Sequence, residues 1–254
     1  MVHDPRLNPD LTREVGGTWL AVPGPAIHSL TLAELQRFDV GRLKPGTRHA
    51  QTFAEQQPAD GEPVPTLDAL FELAGGAGQP RVRFNIETKL SPLAPELAPA
   101  PEAFVHALLA VVRRHDMAGR VTVQSFDWRT LRAMQRLAPE LPLAALTARL
   151  PAIDNLSDAR WTAGLRLQDH GGSVPRLVKA LGAGTWSPFH GELTVSLLAE
   201  AHALGLQVIP WTVNDPLQID RLIGWGVDGL ISDYPGRVRE AMARRAMALP
   251  PKAQ

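Results

Sequence analysis

The sequence of 254 residues contains no cysteine and only one tyrosine. Without thiols the chain cannot form a disulfide, bind a metal through thiolates or use a cysteine nucleophile. It also has no apolar run close to the roughly 18 residues that a membrane-spanning helix requires. We therefore expect a soluble protein. These absences leave open whether it works in the cytoplasm or the periplasm, and any secretion signal would precede Met1.

A surplus of charge is absent as well, because 26 basic side chains balance 26 acidic ones. A chain without a basic surplus is not expected to have nucleic acid or an anionic membrane as its main partner. Lysine is scarce, with four residues among the 26 basic ones, so a lysine within a strand stands out. The expected partner is a small molecule bound at one local site, and the sequence leaves open whether the chain forms an oligomer.

What the sequence does contain is an alternation of β-like and helical segments from Arg81 onward. Each β-like run is followed by a helical pattern. Asp127 and Asp215 stand where helix N-caps are expected, and Pro216 occupies a first helical position. Such an alternation predicts an α/β fold with a parallel sheet and right-handed crossovers. The β-like runs are VRFNIET, RVTVQSF, LPLAALT, GTWSPF, LQVIPWTV and VDGLIS.

Residues 1–254 are interpreted as one domain with three parts. Residues 1–65 are a loop-rich leading segment in which only TLAELQRFD has a helical pattern. Residues 66–245 carry the helix TLDALFELAG and the βα units, and residues 246–254 form a tail. A closed (β/α)8 barrel has eight strands in about 250 residues, so this chain is expected to start two strands late.

The segment RVRFNIETKL alternates apolar and polar side chains. Phe84 and Ile86 point to one face of an extended strand, whereas Asn85, Glu87 and Lys89 point to the other. A polar face needs a function in a parallel sheet that is covered on both sides, and the C-terminal ends of barrel strands carry active sites. We therefore expect these three polar side chains to contribute to a site.

Glu87 and Lys89 together suit the binding of a phosphoester. A carboxylate is a hard oxygen ligand for Mg²⁺ or Ca²⁺, and an ammonium group attracts a phosphate oxygen. The alternative is an ion pair inside the barrel. Two of the strand-end candidates also have a structural interpretation. Trp211 can instead pack in the core, and Asn214 can instead cap a helix. Further candidates at strand ends are Gln124, Ser125, Thr147, Ser187, Trp211, Asn214, Ser232 and Asp233.

None of the eight histidines stands at metal-ligand spacing with another. Most of them fall in helical or loop segments, where packing or solvent exposure is the ordinary expectation. His3 differs because the neighbouring Asp4 can orient its ring for proton transfer. His3 is therefore a candidate general acid or base.

These residues lie in segments that together resemble the glycerophosphodiester phosphodiesterases. The segments VHDPRL, FNIETK, VQSFD, VIPWTVN and GVDGLISDYP occur in the order typical of that family and span nearly the whole chain. The resemblance implies a TIM (β/α)8 barrel of the PLC-like phosphodiesterase type. It also implies hydrolysis of glycerophosphodiesters to sn-glycerol 3-phosphate and an alcohol with a divalent cation, Ca²⁺ or Mg²⁺.

The resemblance also implies individual roles. Glu87 matches the metal-binding glutamate, and Lys89 matches the lysine beside it that faces the phosphate and takes part in catalysis. His3 matches the general acid or base of the HD motif, and Trp211 matches the tryptophan at the pocket wall. With the strand-end candidates added, the predicted substrate-binding set is Asn85, Lys89, Gln124 and Trp211.

The chain departs from the family at its beginning. The family has a first strand that ends in His-Arg-Gly, then Glu-Asn-Thr, and a second strand with Glu-x-Asp, all upstream of the HD motif. Without them Glu87 alone is a poor site for a cation that prefers several oxygen ligands. We therefore expect an incomplete barrel without its first two strands, and a chain that is weak or inactive unless an upstream segment completes it.

Two other functions stay open at this stage. A degenerate barrel without catalysis would serve as a binding or scaffold protein, but the presence of His3, Glu87, Lys89 and Trp211 in one chain favours the enzyme. A phosphodiesterase that acts on lysophospholipids or another phosphodiester would keep the enzyme class and change only the substrate. Comparison of liposome cleavage with glycerophosphocholine cleavage separates the two substrates.

Overall fold

The computed structural model describes residues 1–76 and 81–250, which form two compact units. The first unit contains residues 1–76 and 89–100, and the second contains residues 81–88 and 101–250. The interpretation of residues 1–254 as one domain with parts 1–65, 66–245 and 246–254 stays a prediction. Residues 77–80 and 251–254, which those parts include, lie outside the described residues.

The first unit has little regular structure, as predicted for its leading segment. Its helices within the described ranges are α1 (Leu32–Leu35), α2 (Arg48–Thr52) and α3 (Leu67–Gly76). The helix predicted from TLAELQRFD is confirmed but is only one turn long, and it begins at a capping box formed by Thr31 and Glu34. The helix predicted from TLDALFELAG is confirmed as α3.

Helix α2 was not predicted, because RHAQT has no apolar periodicity. Its N-cap is Thr47, whose side chain accepts a hydrogen bond from the backbone N–H of Ala50 at 3.3 Å. One helical turn can thus form around a single capping hydroxyl, with no apolar stripe to reveal it in the sequence. Short 3₁₀ turns at Ile27–Ser29 and Pro95–Leu97 complete the helical structure of this unit.

Ionic contacts hold the loops of the first unit together. The Arg13 guanidinium contacts the carboxylate of Asp39 and lies 2.6 Å from that of Asp60. Asp60 in turn accepts two hydrogen bonds from Arg42, at 2.7 and 2.9 Å. Asp39 also accepts from the backbone N–H groups of two glycines, which fixes the segment around residues 39–41 against the segment around residue 61.

The second unit is built on a five-stranded parallel sheet with a separate two-stranded hairpin. Parallel pairing confirms the prediction from the βα alternation. The hairpin, β4 with β5, follows β3 directly and was not predicted. The strands are β1 (Phe84–Glu87), β2 (Val121–Ser125), β3 (Leu143–Thr147), β4 (Arg149–Leu150), β5 (Ile153–Asp154), β6 (Thr185–Pro188) and β7 (Gln207–Val208), and the sheet order is β1-β2-β3-β6-β7.

Helices of the second unit connect and cover these strands. The N-caps predicted at Asp127 and Asp215 are confirmed, since their carboxylates accept from the N–H groups of Arg129 and Gln218 at 3.1 and 2.9 Å. Pro216 occupies the first turn as predicted. The helices are α4 (Pro101–Arg114), α5 (Trp128–Leu137), α6 (Val174–Leu181), α7 (Val195–Ala203), α8 (Pro216–Trp225) and α9 (Pro235–Arg244).

The central strands of the sheet are buried along their whole length. All five residues of β3 and all four of β6 are buried, which is the pattern of parallel strands covered on both faces. Large buried side chains on the neighbouring helices fill the layers around them, among them Trp128 and Leu131 on α5. The carboxyl ends of these strands therefore stand on a rigid core.

The strand predicted from VDGLIS is wrong. The segment makes three backbone hydrogen bonds with the chain around β7, including the one from Ile231 N to Pro210 O at 3.0 Å, but it forms no strand in this described part of the chain. The proline has no N–H to return a bond, and Gly229 weakens extended structure. The ladder is therefore too sparse for a regular strand.

The strand predicted from RVRFNIETKL is shorter than its pattern. It begins at Phe84, which is buried, whereas Val82 is 42% exposed. The guanidinium of Arg120 covers the Phe84 ring at 5.3 Å from its centroid, and Arg120 also donates to the carbonyl of Val82. The regular strand therefore covers only Phe84–Glu87.

Candidate functional site

The polar side chains predicted on β1 and β2 lie side by side at the carboxyl ends of these strands. Parallel pairing places Glu87 opposite Gln124 and Asn85 opposite Thr122. The Asn85 amide Nδ2 donates to Gln124 Oε1 at 2.8 Å. The structure thus brings together Asn85, Glu87 and Gln124, and forms an edge with one carboxylate and two amides.

The backbone after β1 is held firmly beneath this edge. Thr88 donates its N–H to the carbonyl of Gln124 at 2.9 Å, and its hydroxyl lies 2.7 Å from that of Thr130. Ser125 Oγ donates to the Thr88 carbonyl at 2.7 Å. These buried contacts fix the backbone directly after Glu87, the last residue of β1.

Trp211 lies beyond the end of β7, beside the extension of β6. Its indole Nε1 donates to the carbonyl of Ser187 at 3.0 Å. The ring of Phe126 meets it edge to face at 5.2 Å between centroids, and Phe189 packs at 5.5 Å. Phe126 follows directly after β2, so Trp211 lies at the same end of the sheet as Gln124.

Trp211 is only partly buried and packs against an apolar cluster. The alternatives of pocket wall and core packing therefore both apply, because the ring has a cluster behind it and a solvent-accessible part. The cluster consists of Phe126, Leu146, Ala148 and Trp161, with Leu150, Ile153, Phe189 and Trp211 packed on it. An indole anchored in this way presents a fixed apolar surface.

His3 and Asp4 form a hydrogen-bonded pair in the first unit. His3 Nδ1 lies 3.1 Å from Asp4 Oδ1, and the His3 side chain is 76% exposed. Asn8 Nδ2 donates to the other oxygen of Asp4 at 2.6 Å. Although partial burial acts to raise it, the pKa of Asp4 is lowered by the hydrogen bonds from Asn8 and His3. The carboxylate thus stays ionised and orients the imidazole.

Lys89 belongs to the first unit as well and is partly buried. It follows Glu87 by two residues in the chain, and the division between the two compact units falls between them. The structure therefore places the predicted site residues in two sets. One set is Asn85, Glu87, Gln124 and Trp211 in the second unit, and the other is His3 and Lys89 in the first.

Three buried hydroxyl groups predicted as strand-end candidates make internal hydrogen bonds. Ser125 accepts from the Asp127 N–H at 3.1 Å in addition to its bond to Thr88. Thr147 accepts from the Trp186 indole at 2.9 Å, and Ser187 donates to the Ile209 carbonyl. Each of these hydroxyls already satisfies a buried group.

Asn214, Ser232 and Asp233 also bind one another. Asn214 Oδ1 accepts from the Asp233 N–H at 3.0 Å and from the Ser232 hydroxyl at 3.2 Å, while its Nδ2 donates to Asp233 Oδ2 at 2.8 Å. The expectation of a helix cap is confirmed for Asp215 rather than for Asn214. Asn214 instead clamps the loop after β7 to the segment before α9.

His190 is a polar group at the end of β6 for which the sequence predicted only solvation. Its Nδ1 is buried and has no hydrogen-bond partner within the described ranges. Burial lowers the pKa of His190 and nearby Arg221 lowers it further, against an opposing effect of Asp215. The imidazole is therefore neutral near pH 7.

A metal site requires more ligands than this edge supplies. Across residues 1–76 and 81–250, no three His, Cys, Asp or Glu side chains lie close enough together to hold a metal ion. Mg²⁺ and Ca²⁺ take about six to eight oxygen ligands, of which Glu87 can supply one or two. The described residues do not by themselves fit a divalent cation.

Two structural features beside Trp211 were not predicted from the sequence. The hairpin β4–β5 carries Leu150 and Ile153 to the apolar cluster beside Trp211. Asn155, which follows the hairpin, is fully buried and hydrogen-bonded on both sides of its amide. Only the DN pair after a short apolar run marks this place in the sequence, and such a pair usually signals an exposed turn.

None of the helices in the described part of the chain combines the length and the apolar character needed to cross a bilayer. The longest helix in that part is α4, Pro101–Arg114, with 14 residues.

The parallel sheet with its helices and the solved structures of similar fold define an α/β protein of the TIM-barrel type. The family model of the glycerophosphoryl diester phosphodiesterases matches residues 1–237. The chain therefore belongs to this family, and the resemblance and the enzyme class predicted from the sequence are confirmed. Its activity is that of a glycerophosphodiester phosphodiesterase.

Individual relatives agree with this assignment. A curated glycerophosphodiester phosphodiesterase of Caldanaerobacter subterraneus is 27% identical over 209 residues, which cover 82% of this chain and 70% of that protein. A crystal structure from Silicibacter pomeroyi, classed as a glycerophosphoryl diester phosphodiesterase, is 34% identical with a TM-score of 0.85, and the match covers 98% of this chain and 80% of that one. An Oleispira antarctica phosphodiesterase shares the fold at 21% identity and a TM-score of 0.65, over 95% of this chain and 78% of that one.

Proposed function

We propose that this chain hydrolyses glycerophosphodiesters to sn-glycerol 3-phosphate and an alcohol. In this reaction water attacks phosphorus, the bond between phosphorus and the alcohol oxygen breaks, and that oxygen takes up a proton. The match of the family model to residues 1–237 carries the proposal. The carboxylate and amide edge of β1 and β2 gives it a chemical basis, because it can hold a phosphoester oxygen or a glycerol hydroxyl.

His3 is the proposed general acid or base. Asp4, whose pKa is lowered, accepts the hydrogen bond from Nδ1–H and so leaves the proton exchange to Nε2. The high exposure of His3 allows this nitrogen to meet a substrate or a water molecule. Such a pair orients the imidazole for proton transfer.

The proposed binding roles follow the chemistry of each side chain. Lys89 carries a positive charge that stabilises the anionic phosphate, and more strongly the extra charge that develops during displacement. Asn85 and Gln124 have amide groups that donate and accept hydrogen bonds, as glycerol hydroxyls do. Trp211 presents a fixed aromatic surface to the less polar part of the substrate.

Glu87 is the proposed carboxylate ligand of a divalent cation. When bound, such an ion would neutralise phosphate charge. The described residues supply no cluster of three ligands, so binding through Glu87 is expected to be weak, and no step of the reaction is assigned to the ion. Whether Ca²⁺ or Mg²⁺ is preferred is decided by titration of each ion.

The product named here has a parallel in a protein of the same fold. The Oleispira antarctica phosphodiesterase was solved in complex with the product sn-glycerol-3-phosphate. We propose the same product for this chain because its strand-end groups suit a phosphate monoester that carries two hydroxyls.

The test is ³¹P NMR of glycerophosphocholine incubated with the chain, in parallel with lysophosphatidylcholine vesicles. The proposal expects a new phosphomonoester signal that coincides with added sn-glycerol 3-phosphate. Phosphocholine in its place would show that the other ester bond is cleaved. Cleavage of the vesicles alone would favour the lysophospholipid substrate, and tight binding without cleavage would favour a binding protein.

A further inference from the structure

We propose that Asn155 is a positioning residue for Trp211 and acts on it through Phe126. The proposal rests on the function above only in so far as Trp211 contacts the substrate. The structure shows each contact in this series, which we call the relay. The buried Asn155 amide binds the backbone at Phe126, and the ring of Phe126 contacts the Trp211 indole.

The Asn155 amide makes three hydrogen bonds in a fully buried position. Its Nδ2 donates to the carbonyls of Phe126 and Leu146, at 3.0 and 2.9 Å. Its Oδ1 accepts from the backbone N–H of Ala148 at 3.0 Å. This pattern fixes the orientation of the amide, because only the NH₂ group can donate to two carbonyls.

These hydrogen bonds lie just beyond the last register pair of β2 and β3, and this position explains their role. Register pairs of β2 and β3 end at Ser125 and Ala145, and the chain continues to Phe126 and Leu146 without a further pair. Carbonyl groups buried beyond the end of a ladder require another donor. Asn155 supplies it, and so joins the carboxyl ends of the two strands after their backbone pairing has stopped.

Phe126 then transmits the position of this backbone to Trp211. Its ring meets the indole edge to face, at 5.2 Å and 89°. Trp211 is also held by the hydrogen bond from its Nε1 to the Ser187 carbonyl. Removal of the Asn155 amide takes a hydrogen-bond donor away from the Phe126 carbonyl. The Leu146 carbonyl, in contrast, still accepts a hydrogen bond from the Trp128 indole at 3.2 Å.

The kinetic test uses Asn155→Ala in the full chain with glycerophosphocholine as substrate. A displaced Trp211 weakens binding, so KM is expected to rise about fivefold while kcat changes less than about twofold. A purely structural role would reduce the amount of active protein, which lowers kcat and leaves KM unchanged. That second result would overturn the proposal.

A spectroscopic test does not depend on activity. The chain has six tryptophans, so the emission of Trp211 is taken as the difference between a protein and its Trp211→Phe form. In the Asn155→Ala background, the proposal expects this difference spectrum to be quenched by acrylamide at least about twofold more strongly. Equal quenching in both backgrounds would contradict the relay. If the unaltered chain hydrolyses no diester, the proposed function fails and quenching alone decides on Asn155.

Gln135→Ala is the matched control. It also removes an amide donor to a carbonyl, from Gln135 Nε2 to Leu181 O at 2.7 Å, but on α5 and away from Phe126. It is expected to leave KM and Trp211 quenching unchanged. Should Asn155→Ala fail to fold, Phe126→Leu interrupts the relay at its second step and must reproduce both changes. An unchanged KM and unchanged quenching in Phe126→Leu would refute the proposal.

Discussion

At the scale of the residue, the pairing of His3 with Asp4 determines how a histidine on the surface can act. An isolated exposed imidazole has no fixed tautomer, whereas a hydrogen bond from Nδ1 to an ionised carboxylate fixes the ring and leaves Nε2 for proton transfer. Asn8 holds the second oxygen of Asp4, so the carboxylate cannot easily turn away. In catalytic acid–base sites, a carboxylate orients a histidine ring by the same kind of hydrogen bond.

The first prediction concerns His3 itself. His3→Ala is expected to lower kcat/KM for glycerophosphocholine by a factor of about 10² to 10⁴, because it removes the imidazole proposed to transfer the proton. The measurement is a steady-state assay of phosphomonoester release. His28→Ala is the control, since His28 is also exposed and contacts a backbone carbonyl, that of Glu96 at 3.2 Å. Equal losses in both variants would show that His3 has no special role.

The second prediction concerns Glu87 and the divalent cation. A single carboxylate is expected to bind weakly, so activity should rise with Mg²⁺ or Ca²⁺ into the millimolar range. Glu87→Gln keeps the shape of the side chain but loses its charge, and should shift the half-saturating concentration upward by about tenfold or more. Glu102→Gln, an exposed glutamate on α4, provides the comparison. Identical metal dependence of all three proteins would exclude Glu87 as a ligand.

Some residues of the site are readable from the sequence and others are not. Asn85 and Glu87 alternate with Phe84, Ile86 and Thr88, and parallel pairing brings them to Gln124, as the position at strand ends predicted. Ser125, Thr147 and Ser187 share the same signal, yet internal hydrogen bonds occupy them. Sequence position indicates which side chains reach the strand ends, but not which of them already have internal hydrogen-bond partners.

At the scale of the element, helices were easier to predict than the ends of strands. Helices α5 and α8 begin at Asp127 and Asp215, because a capping carboxylate marks the first turn locally. Strand bounds depend on a neighbouring chain. VDGLIS has the composition of a strand but lies beside Pro210, which cannot return hydrogen bonds, so it does not form one.

The third prediction concerns the loops of the first unit and the ionic group of Arg13, Asp39 and Asp60. Partial burial acts to raise the pKa of Asp39, but the N–H groups of Gly61 and Gly41 and the charge of Arg13 lower it overall. Asp39→Asn is expected to reduce the free energy of unfolding by about 1–3 kcal/mol, since hydrogen bonds to a charged acceptor are lost. Urea unfolding of the full chain measures it, with Glu102→Gln as a surface control that should change by less than about 1 kcal/mol.

The same carboxylate gives a pH dependence with a defined sign. Because the pKa of Asp39 is lower in the folded state than the usual value of 3.8, its contribution is complete above that value. It is lost as the pH falls from there through the folded pKa. The difference in stability between the unaltered chain and Asp39→Asn should therefore shrink in this acid range. A difference that stays constant down to pH 2 would contradict the assignment.

At the scale of the whole molecule, family membership and fold class were predictable while the division into two units was not. Short motifs from VHDPRL to GVDGLISDYP predicted the family that matches residues 1–237. The break between Thr88 and Lys89 has no mark in the sequence, because it falls within one alternating segment. Which stretches pack together depends on long-range contacts, which local patterns do not encode.

The central proposal is that Lys89 binds the phosphate of a phosphoester, and calorimetric titration with sn-glycerol 3-phosphate tests it most directly, even in a chain that turns over slowly. Loss of a phosphate-binding ammonium in Lys89→Ala should raise the Kd by about tenfold or more. Lys179→Ala, on the exposed side of α6, should leave the Kd unchanged. Equal Kd values for the unaltered chain, Lys89→Ala and Lys179→Ala would contradict the account.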